Sequence, residues 1–285
     1  MQTVHALDPL RNAVAELRSR GPVALVPTMG ALHDGHLTLV REAKSRGASI
    51  VVSIFVNPLQ FGANEDLDAY PRQLARDSAL LEAEGVDVLW APTVEAMYPA
   101  GFASNISVAG VSEGLCGAAR PGHFDGVATV VCKLFNQVMP DMALFGEKDW
   151  QQLAVIRRMA RDLDLTRPAA DAILGVPTVR ETDGLAMSSR NAYLSAGERA
   201  AAVALPTAMR KAIAAIEGGE PVPATLATLE ADILAGGFRA IDYAELREAG
   251  GLAPLAARAD TPMRLIVAAR IGSTRLIDNM AVAPA

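Results

Sequence analysis

Two histidines three residues apart, His33-Asp-Gly-His36, stand in a turn just after a short β-type run, Val23–Val26. The turn also holds Pro27, Gly30 and Gly35, and a helical pattern follows it. Strand, turn and helix start together make an anion seat, because unpaired backbone N–H groups and the helix dipole face an incoming negative charge. Imidazoles placed there can donate hydrogen bonds to phosphate oxygens as charge builds in a transition state. One such donor is typically worth ~10²–10³ in rate. A histidine pair on a surface turn need carry no chemistry by itself; the strand–turn–helix setting singles this one out. It reads as the seat of a nucleoside triphosphate.

Three further stretches carry residue types suited to such a ligand or to what it is used on. Asn57-Pro-Leu-Gln-Phe61 sets amide donors and acceptors beside an aromatic ring, which suits a small hydroxy acid or, equally, a loop capping a strand. Gly146-Glu-Lys-Asp149 sits where a strand meets a helix. Lys148 there is a cation at a positive helix end, which the dipole disfavours by a few tenths of a kcal/mol or more, so an anionic ligand is expected beside it. Asp149 can fix a ribose or the helix start. Met187-Ser-Ser-Arg190 offers two hydroxyls, backbone N–H groups and a guanidinium to a pyrophosphate leaving group. Taken alone, Ser-Ser-Arg is a common surface sequence. A mobile loop between domains is nevertheless a natural lid.

Other features are less decisive. Arg120-Pro-Gly-His123 shapes a turn before a long helix, either as loop architecture or with Arg120 closing over a substrate. Glu65, Asp66 and Asp77 can assist a Mg²⁺ held mainly by phosphates, although a solvated acidic face accounts for the first two. Gly-x-x-x-x-Gly-Lys-Ser/Thr is absent and Gly-x-Gly occurs nowhere, which excludes a P-loop and a dinucleotide fingerprint.

Behind these residues lies an alternation of helical and β-type patterns. Leu10–Ser19 reads as an amphipathic helix, followed by strand 23–26 and helix 36–45. Ser49–Val56 is a nearly unbroken β-branched run, as in a strand buried on both faces. Helix 72–84, strand 86–90 and a further short strand at 104–108 come next. A helix at 124–138 has apolar residues at 127, 130, 131, 134, 135 and 138, and strand 142–145 and a helix to about 162 follow it. Alternation through about residue 176 predicts an α/β fold, a Rossmann-like doubly wound parallel sheet whose ligands bind beyond the C-terminal strand ends. The loops at 27–36, 57–66 and 146–149 all fall there. After Arg190 the pattern changes. Ser195-Ala-Gly-Glu198 is a capping box opening a helix to about 217, a helix at 224–234 follows, and strands are expected at 241–246, 263–271 and 274–280. Residues 1–177 are expected to form the nucleotide- and acid-binding domain, and residues 178–285 a smaller α+β lid domain.

Bulk composition limits the rest. The chain has 285 residues, 51% hydrophobic and 20% charged, a globular composition. Its 26 Lys+Arg against 32 Asp+Glu give a net charge of −6 without a dense basic block, so nucleic acid is not an expected partner. Cys116 and Cys132 form no Cys-x-x-Cys pair, and with four histidines they give little basis for a structural zinc site. Cys132 lies in an apolar run and reads as a reduced core thiol. No apolar run reaches the ~18 residues of a membrane span and no signal peptide is evident, so a cytoplasmic, membrane-free protein is expected.

The His-x-Gly-His turn resembles the signature of the nucleotidyltransferase superfamily, which includes class I aminoacyl-tRNA synthetases. Five blocks in order, Pro27–His36, Phe55–Phe61, Arg120–Val127, Phe145–Gln152 and Leu185–Asn191, are similar to those of the pantothenate synthetase (pantoate–β-alanine ligase) family. That resemblance implies ATP-dependent condensation of (R)-pantoate with β-alanine through a pantoyl-adenylate, releasing pyrophosphate and AMP. It implies catalytic roles for His36, His33 and Lys148. ATP contacts are implied at Met29, Gly30, Ala31, Leu32, His33, Asp34, Gly35, His36, Gly146, Glu147, Lys148, Asp149, Met187, Ser188, Ser189 and Arg190, with adenine at the Val179 backbone. Gln60 and Gln152 are implied for pantoate and β-alanine, Mg²⁺ as the companion of ATP, and a homodimer as the assembly. The family's role for His36 is proton donor; phosphates hardly need a base, so hydrogen-bond donation to transition-state charge is expected instead. The rivals are a nucleotidyltransferase acting on a phosphate ester, a synthetase-like RNA-binding module and a non-catalytic nucleotide sensor.

Overall fold

The computed structural model describes residues 1–62, 67 and 70–285. Two compact units result, Met1–Glu147 with Gln151–Pro177, and Lys148–Trp150 with Thr178–Ala285. From the N-terminus the chain runs through β1 (Gln2–Val4), α1 (Leu7–Arg18), β2 (Val23–Thr28), α2 (Asp34–Ser45), β3 (Ser49–Ile54), α3 (Leu74–Ala83) and β4 (Val88–Trp90). It continues through α4 (Val94–Met97), α5 (Leu115–Ala119), α6 (His123–Val138), β5 (Met142–Gly146), α7 (Trp150–Asp162) and β6 (Ile173–Val176).

β1 to β6 form one parallel sheet in the order β1-β4-β3-β2-β5-β6. The doubly wound sheet expected from the alternation is therefore present. Its central strands are buried on both faces: Ala24, Leu25, Val26, Val51 and Val52 have no exposed surface. Ala24, Val26, Ile50 and Val52 meet Leu37, Val40 and Ala43 of α2 and Leu81 of α3 in one apolar cluster. Leu25 and Val51 point the other way, as strand alternation requires. On α1, Leu10, Ala13, Val14 and Leu17 form a buried stripe at helical spacing; this helix packs against α6 and β2. The successor of β2 lies on one side of it and β5 on the other. The direction of winding therefore reverses between β2 and β5, the place where sheets of this kind bind ligands beyond their C-terminal strand ends.

The structure departs from the sequence-based expectation at three places. Residues 104–108 form no strand; the Ile106 N–H bonds to Thr129 Oγ1 at 2.9 Å instead of to a neighbouring strand. β1 was not foreseen, since three residues are too few to show a period. The helix expected from 196 to 217 is two, α8 (Ala196–Ala201) and α9 (Ala204–Glu217). Pro206, without an N–H, cannot bond back to Ala202 and marks the break.

In the second unit α8, α9 and α10 (Val222–Ala235) precede an antiparallel sheet β7-β8-β9 of Ala240–Glu248, Met263–Ile271 and Thr274–Val282. Leu205, Met209 and Ile216 of α9, Leu229 and Ile233 of α10, and Leu265, Val267 and Ile271 of β8 make its core. The Ser195 capping box is present, with Ser195 N donating to Glu198 Oε2 at 2.8 Å.

Candidate functional site

The turn after β2 is built by three devices. Thr28 Oγ1 donates to Ser53 O at 2.8 Å and accepts from Gly30 N at 3.2 Å, tying the ends of β2 and β3 to the turn. Gly30 and Ala31 are both left-handed, with φ of 82° and 51°. Such a φ is costly for alanine, and a carboxylate holds it in place. Asp77, fully buried on the first turn of α3, accepts from Ala31 N at 2.8 Å and Leu32 N at 2.9 Å.

This corrects one expectation. Asp77 is not placed to assist Mg²⁺, because both of its oxygens serve the turn. The N–H groups of Ala31 and Leu32 both face Asp77. Glu65 and Asp66 lie outside the described residues. Among the described residues no group of three His, Cys, Asp or Glu side chains could hold a metal ion. No step is assigned to a metal ion held by protein groups alone.

The histidines lie at the start of α2. His33 is its N-cap, extended at φ −136° and ψ 174°, and His36 N donates back to His33 O at 2.8 Å. Their rings are 4.1 Å apart between centroids and tilted by 41°. His36 Nδ1 accepts the His33 N–H at 3.4 Å. A backbone N–H can only donate, so Nδ1 carries the lone pair and Nε2 the proton. His36 is thereby a neutral imidazole with its donor at Nε2. The amides of Asp34 and Gly35, in the first turn of α2, have no acceptor within the helix by its geometry. The Asp34 carboxylate pairs with Arg41 Nη1 at 2.7 Å.

Beyond β3, Asn57 caps a one-turn helix at Pro58–Gln60. Gln60 is 9% exposed. Its Oε1 accepts from Asn57 Nδ2 at 3.1 Å, and its Nε2 donates to Met29 Sδ at 2.9 Å. Met29 precedes Gly30, so the acid-binding candidate and the nucleotide turn touch directly. Tyr98 Oη donates to Asn57 Oδ1 at 2.8 Å, and burial pushes the Tyr98 phenol well above its usual range, so it remains a donor. Gly126 of α6 lies against this turn. A Cβ there would overlap the Leu59 carbonyl and come within 2.7 Å of Gln60 N. Gln152 is half-buried on the first turn of α7. A Cβ at Gly146, the last residue of β5, would meet no atom within 4 Å. Glu147, next to it, belongs to the first unit.

In the second unit Lys148 and Asp149 lie in the one-turn helix preceding α7, with Lys148 Nζ 3.9 Å from Asp149 Oδ2. Asn279 Nδ2 on β9 donates to Lys148 O at 2.9 Å. Its neighbour Asp278, 2% exposed, receives Arg180 in a two-pronged ion pair at 2.7 and 2.8 Å. Met187 N donates to Val179 O at 3.0 Å, which brings the expected adenine and phosphate residues together. Ser188 Oγ accepts from Arg190 N at 3.3 Å at the head of a short helix, Ser189–Tyr193. Asn191 Nδ2 bonds to Glu181 Oε1 and Ala186 O, both at 3.1 Å. The 187–191 segment is thus hydrogen-bonded at several points.

Sequence reasoning did not single out Tyr98, Gly126, Arg180, Asp278 or Asn279. A glycine inside an apolar helix was a usable signal for Gly126, and two polar residues inside an apolar strand for Asp278 and Asn279. Tyr98 carried none. Both cysteines are free and buried, and burial raises the Cys132 thiol's pKa.

A parallel α/β sheet with a helix start and two imidazoles at its switch point defines a nucleotide-binding protein of the Rossmann-like class. A family model described as pantoate-beta-alanine ligase matches residues 2–281. A pantothenate synthetase of Novosphingobium aromaticivorans is 69% identical over 285 residues, covering 100% of both chains. The crystal structure of a pantothenate synthetase from Thermus thermophilus superposes with a TM-score of 0.92 at 48% identity, covering 100% of both chains. A pantoate-beta-alanine ligase from Francisella tularensis, complexed with beta-gamma ATP and beta-alanine, gives 0.82 at 32% identity, covering 98% of this chain and 97% of that one. The chain belongs to the pantoate–β-alanine ligase family. It is an ATP-dependent ligase that condenses pantoate with β-alanine to pantothenate.

Proposed function

We propose that the condensation runs through a pantoyl-adenylate made at the turn after β2. A pantoate carboxylate oxygen attacks the α-phosphorus of ATP, the bond to the β-phosphate bridge breaks, and pyrophosphate leaves. The β-alanine nitrogen then attacks the acyl carbon, its extra proton is lost, and the bond to AMP breaks. A free carboxylate is a poor acyl donor, and AMP supplies the leaving group. The observation that carries this reading is His36, whose Nδ1 is occupied by the His33 N–H, so that Nε2 is the donor for phosphate oxygens at a helix N-terminus.

Chemistry supports the remaining assignments. His33, Lys148 and Arg190 supply donors and positive charge to the phosphates, with Ser188 and Ser189 serving the pyrophosphate and Asp149 the ribose. The backbone from Met29 to Gly35, with Gly146, Glu147 and Met187, lines the nucleotide, and Val179 takes the adenine. Gln60 and Gln152 hold pantoate and β-alanine. Mg²⁺ accompanies ATP on its phosphates. Residues 1–177 act as the substrate domain and 178–285 as a lid. The Francisella tularensis relative, with its beta-gamma ATP and beta-alanine, supports the substrate pair. Both cysteines being free fits a reducing cytoplasm, and no helix among the described residues is long and apolar enough to cross a membrane. Family resemblance supports a homodimer.

The experiment is a two-stage assay. Pyrophosphate should be released with pantoate and ATP alone, and AMP only after β-alanine is added; AMP release that never depends on pantoate overturns the reading. Within it, Gln60→Ala should raise the KM for pantoate about tenfold or more, as expected when a polar partner is left unmatched, while the KM for ATP changes less than about threefold. A defect confined to ATP would remove Gln60 from the acid site.

A further inference from the structure

The Arg120-Pro-Gly-His123 block plays no part in the scheme above, yet its two charged or titratable side chains converge on one atom. His123 Nδ1 lies 2.9 Å from the carbonyl oxygen of Gln60, and Arg120 Nη2 donates to the same oxygen at 3.3 Å. Arg120 Nη1 lies 3.0 Å from His123 Nε2. A guanidinium can only donate, so Nε2 is the acceptor, the ring is neutral, and its single proton is on Nδ1. His123 must then donate to Gln60 O. The tautomer follows from the Arg120 contact, and Arg120 adds a second donor to the same carbonyl.

The grip is wider than one oxygen. Gly126, one turn along α6, lets the helix backbone lie against Leu59 and Gln60, and its own carbonyl accepts from Asn57 Nδ2 at 3.0 Å. Asn57 Nδ2 also reaches Gln60 Oε1. The carbonyl of Gln60 is thus held by Arg120 and His123, and its side chain by Asn57. Gln60 N also donates to Asn57 O at 3.4 Å, so the peptide groups on both sides of Gln60 are held, and with them the direction of its Cα–Cβ bond. His123 is 9% exposed, so this donor works away from water.

We propose that Arg120 and His123 are positioning residues for the acid substrate: they fix the Gln60 carbonyl so that the Gln60 amide meets pantoate in one orientation. Neither residue touches the reacting atoms in this scheme. The proposal rests on Gln60 as a pantoate residue.

The test measures pyrophosphate release by the full chain, with pantoate varied at saturating ATP and then ATP at saturating pantoate. His123→Ala should raise the KM for pantoate about tenfold, the usual scale for a buried polar group left unmatched, and leave the KM for ATP within about threefold. His123→Asn, whose amide nitrogen stands where Nδ1 stood, should recover most of the loss. His123→Gln, whose amide nitrogen stands where Nε2 stood and faces Arg120, should not. In a Gln60→Ala background, His123→Ala should add little, since both changes remove the same contact.

A merely structural role predicts something else: Asn and Gln variants alike, and both KM values rising with a falling Tm. That result overturns the proposal, as does an unchanged pantoate KM in His123→Ala. Should His123→Ala fail to fold, Arg120→Ala reads the same donor pair from a half-buried position, and its pantoate KM must rise as well. Wild-type protein that releases no pyrophosphate with pantoate defeats the adenylate reading and this inference with it. Normal wild-type release beside unaffected variants defeats the inference alone.

Discussion

Replacing His36 by alanine is expected to slow pyrophosphate release with pantoate and ATP by at least ~10², equivalent to about 2.7 kcal/mol of transition-state stabilisation. The loss is of the Nε2 donor, which the His33 N–H defines by occupying Nδ1. Saturating ATP should not restore the rate, because the interaction strengthens as charge moves onto the leaving phosphates. His36→Gln, with an amide nitrogen near the Nε2 position, should keep part of the activity, and His36→Asn should keep less. Near-normal pyrophosphate release by His36→Ala, measured in single turnover, would sink the assignment.

The second large effect belongs to Asp77. Its removal leaves two amides, Ala31 N and Leu32 N, without the carboxylate that receives them, beside a Leu32 side chain only 1% exposed. Each buried amide so stranded costs about 1–3 kcal/mol. Asp77→Ala should therefore lose about 2–6 kcal/mol in urea unfolding, by summing the two amides. The carboxylate tether on left-handed Ala31 would be lost, and the KM for ATP should rise together with the fall in stability. Asp77→Asn keeps one acceptor oxygen and should sit between wild type and alanine. A metal-ligand role predicts a different pattern, with a shifted Mg²⁺ dependence and unchanged unfolding; that outcome would refute the turn-holding role.

Much of this arrangement could be read before the fold was known, for physical reasons that differ by residue. The parallel sheet was legible because strands buried on both faces are continuous β-branched runs, as in Ile50-Val51-Val52. The site loops were legible because parallel strands deliver their loops to one end. What could not be read was pairing across distance. Nothing local to Asp77 says that its carboxylate will meet backbone amides 45 and 46 positions earlier. A carboxylate near a phosphate site looks the same in sequence whether it serves a cation or a turn. Tyr98 is a similar case, joined to Asn57 across 41 positions. Short elements failed for another reason: β1 takes its place from its partner β4, and three residues show no period of their own. At 104–108 the composition suited a strand, but Thr129 offered the Ile106 N–H an acceptor first.

The neighbouring pair on β9 bears on how the enzyme is made. Asn279 reaches back 131 positions to Lys148, and Asp278 reaches back 98 to Arg180. A ribosome delivers residues in order, so a nascent chain carries Lys148 and the whole 179–190 segment long before their anchors exist. Contacts that span so much sequence form late and carry a high loop-closure cost. Lys148 and Arg180 acquire these holds only when the third strand of the small sheet joins. On the roles proposed for Lys148 and the 179–190 segment, the ATP site is completed only when that strand is in place.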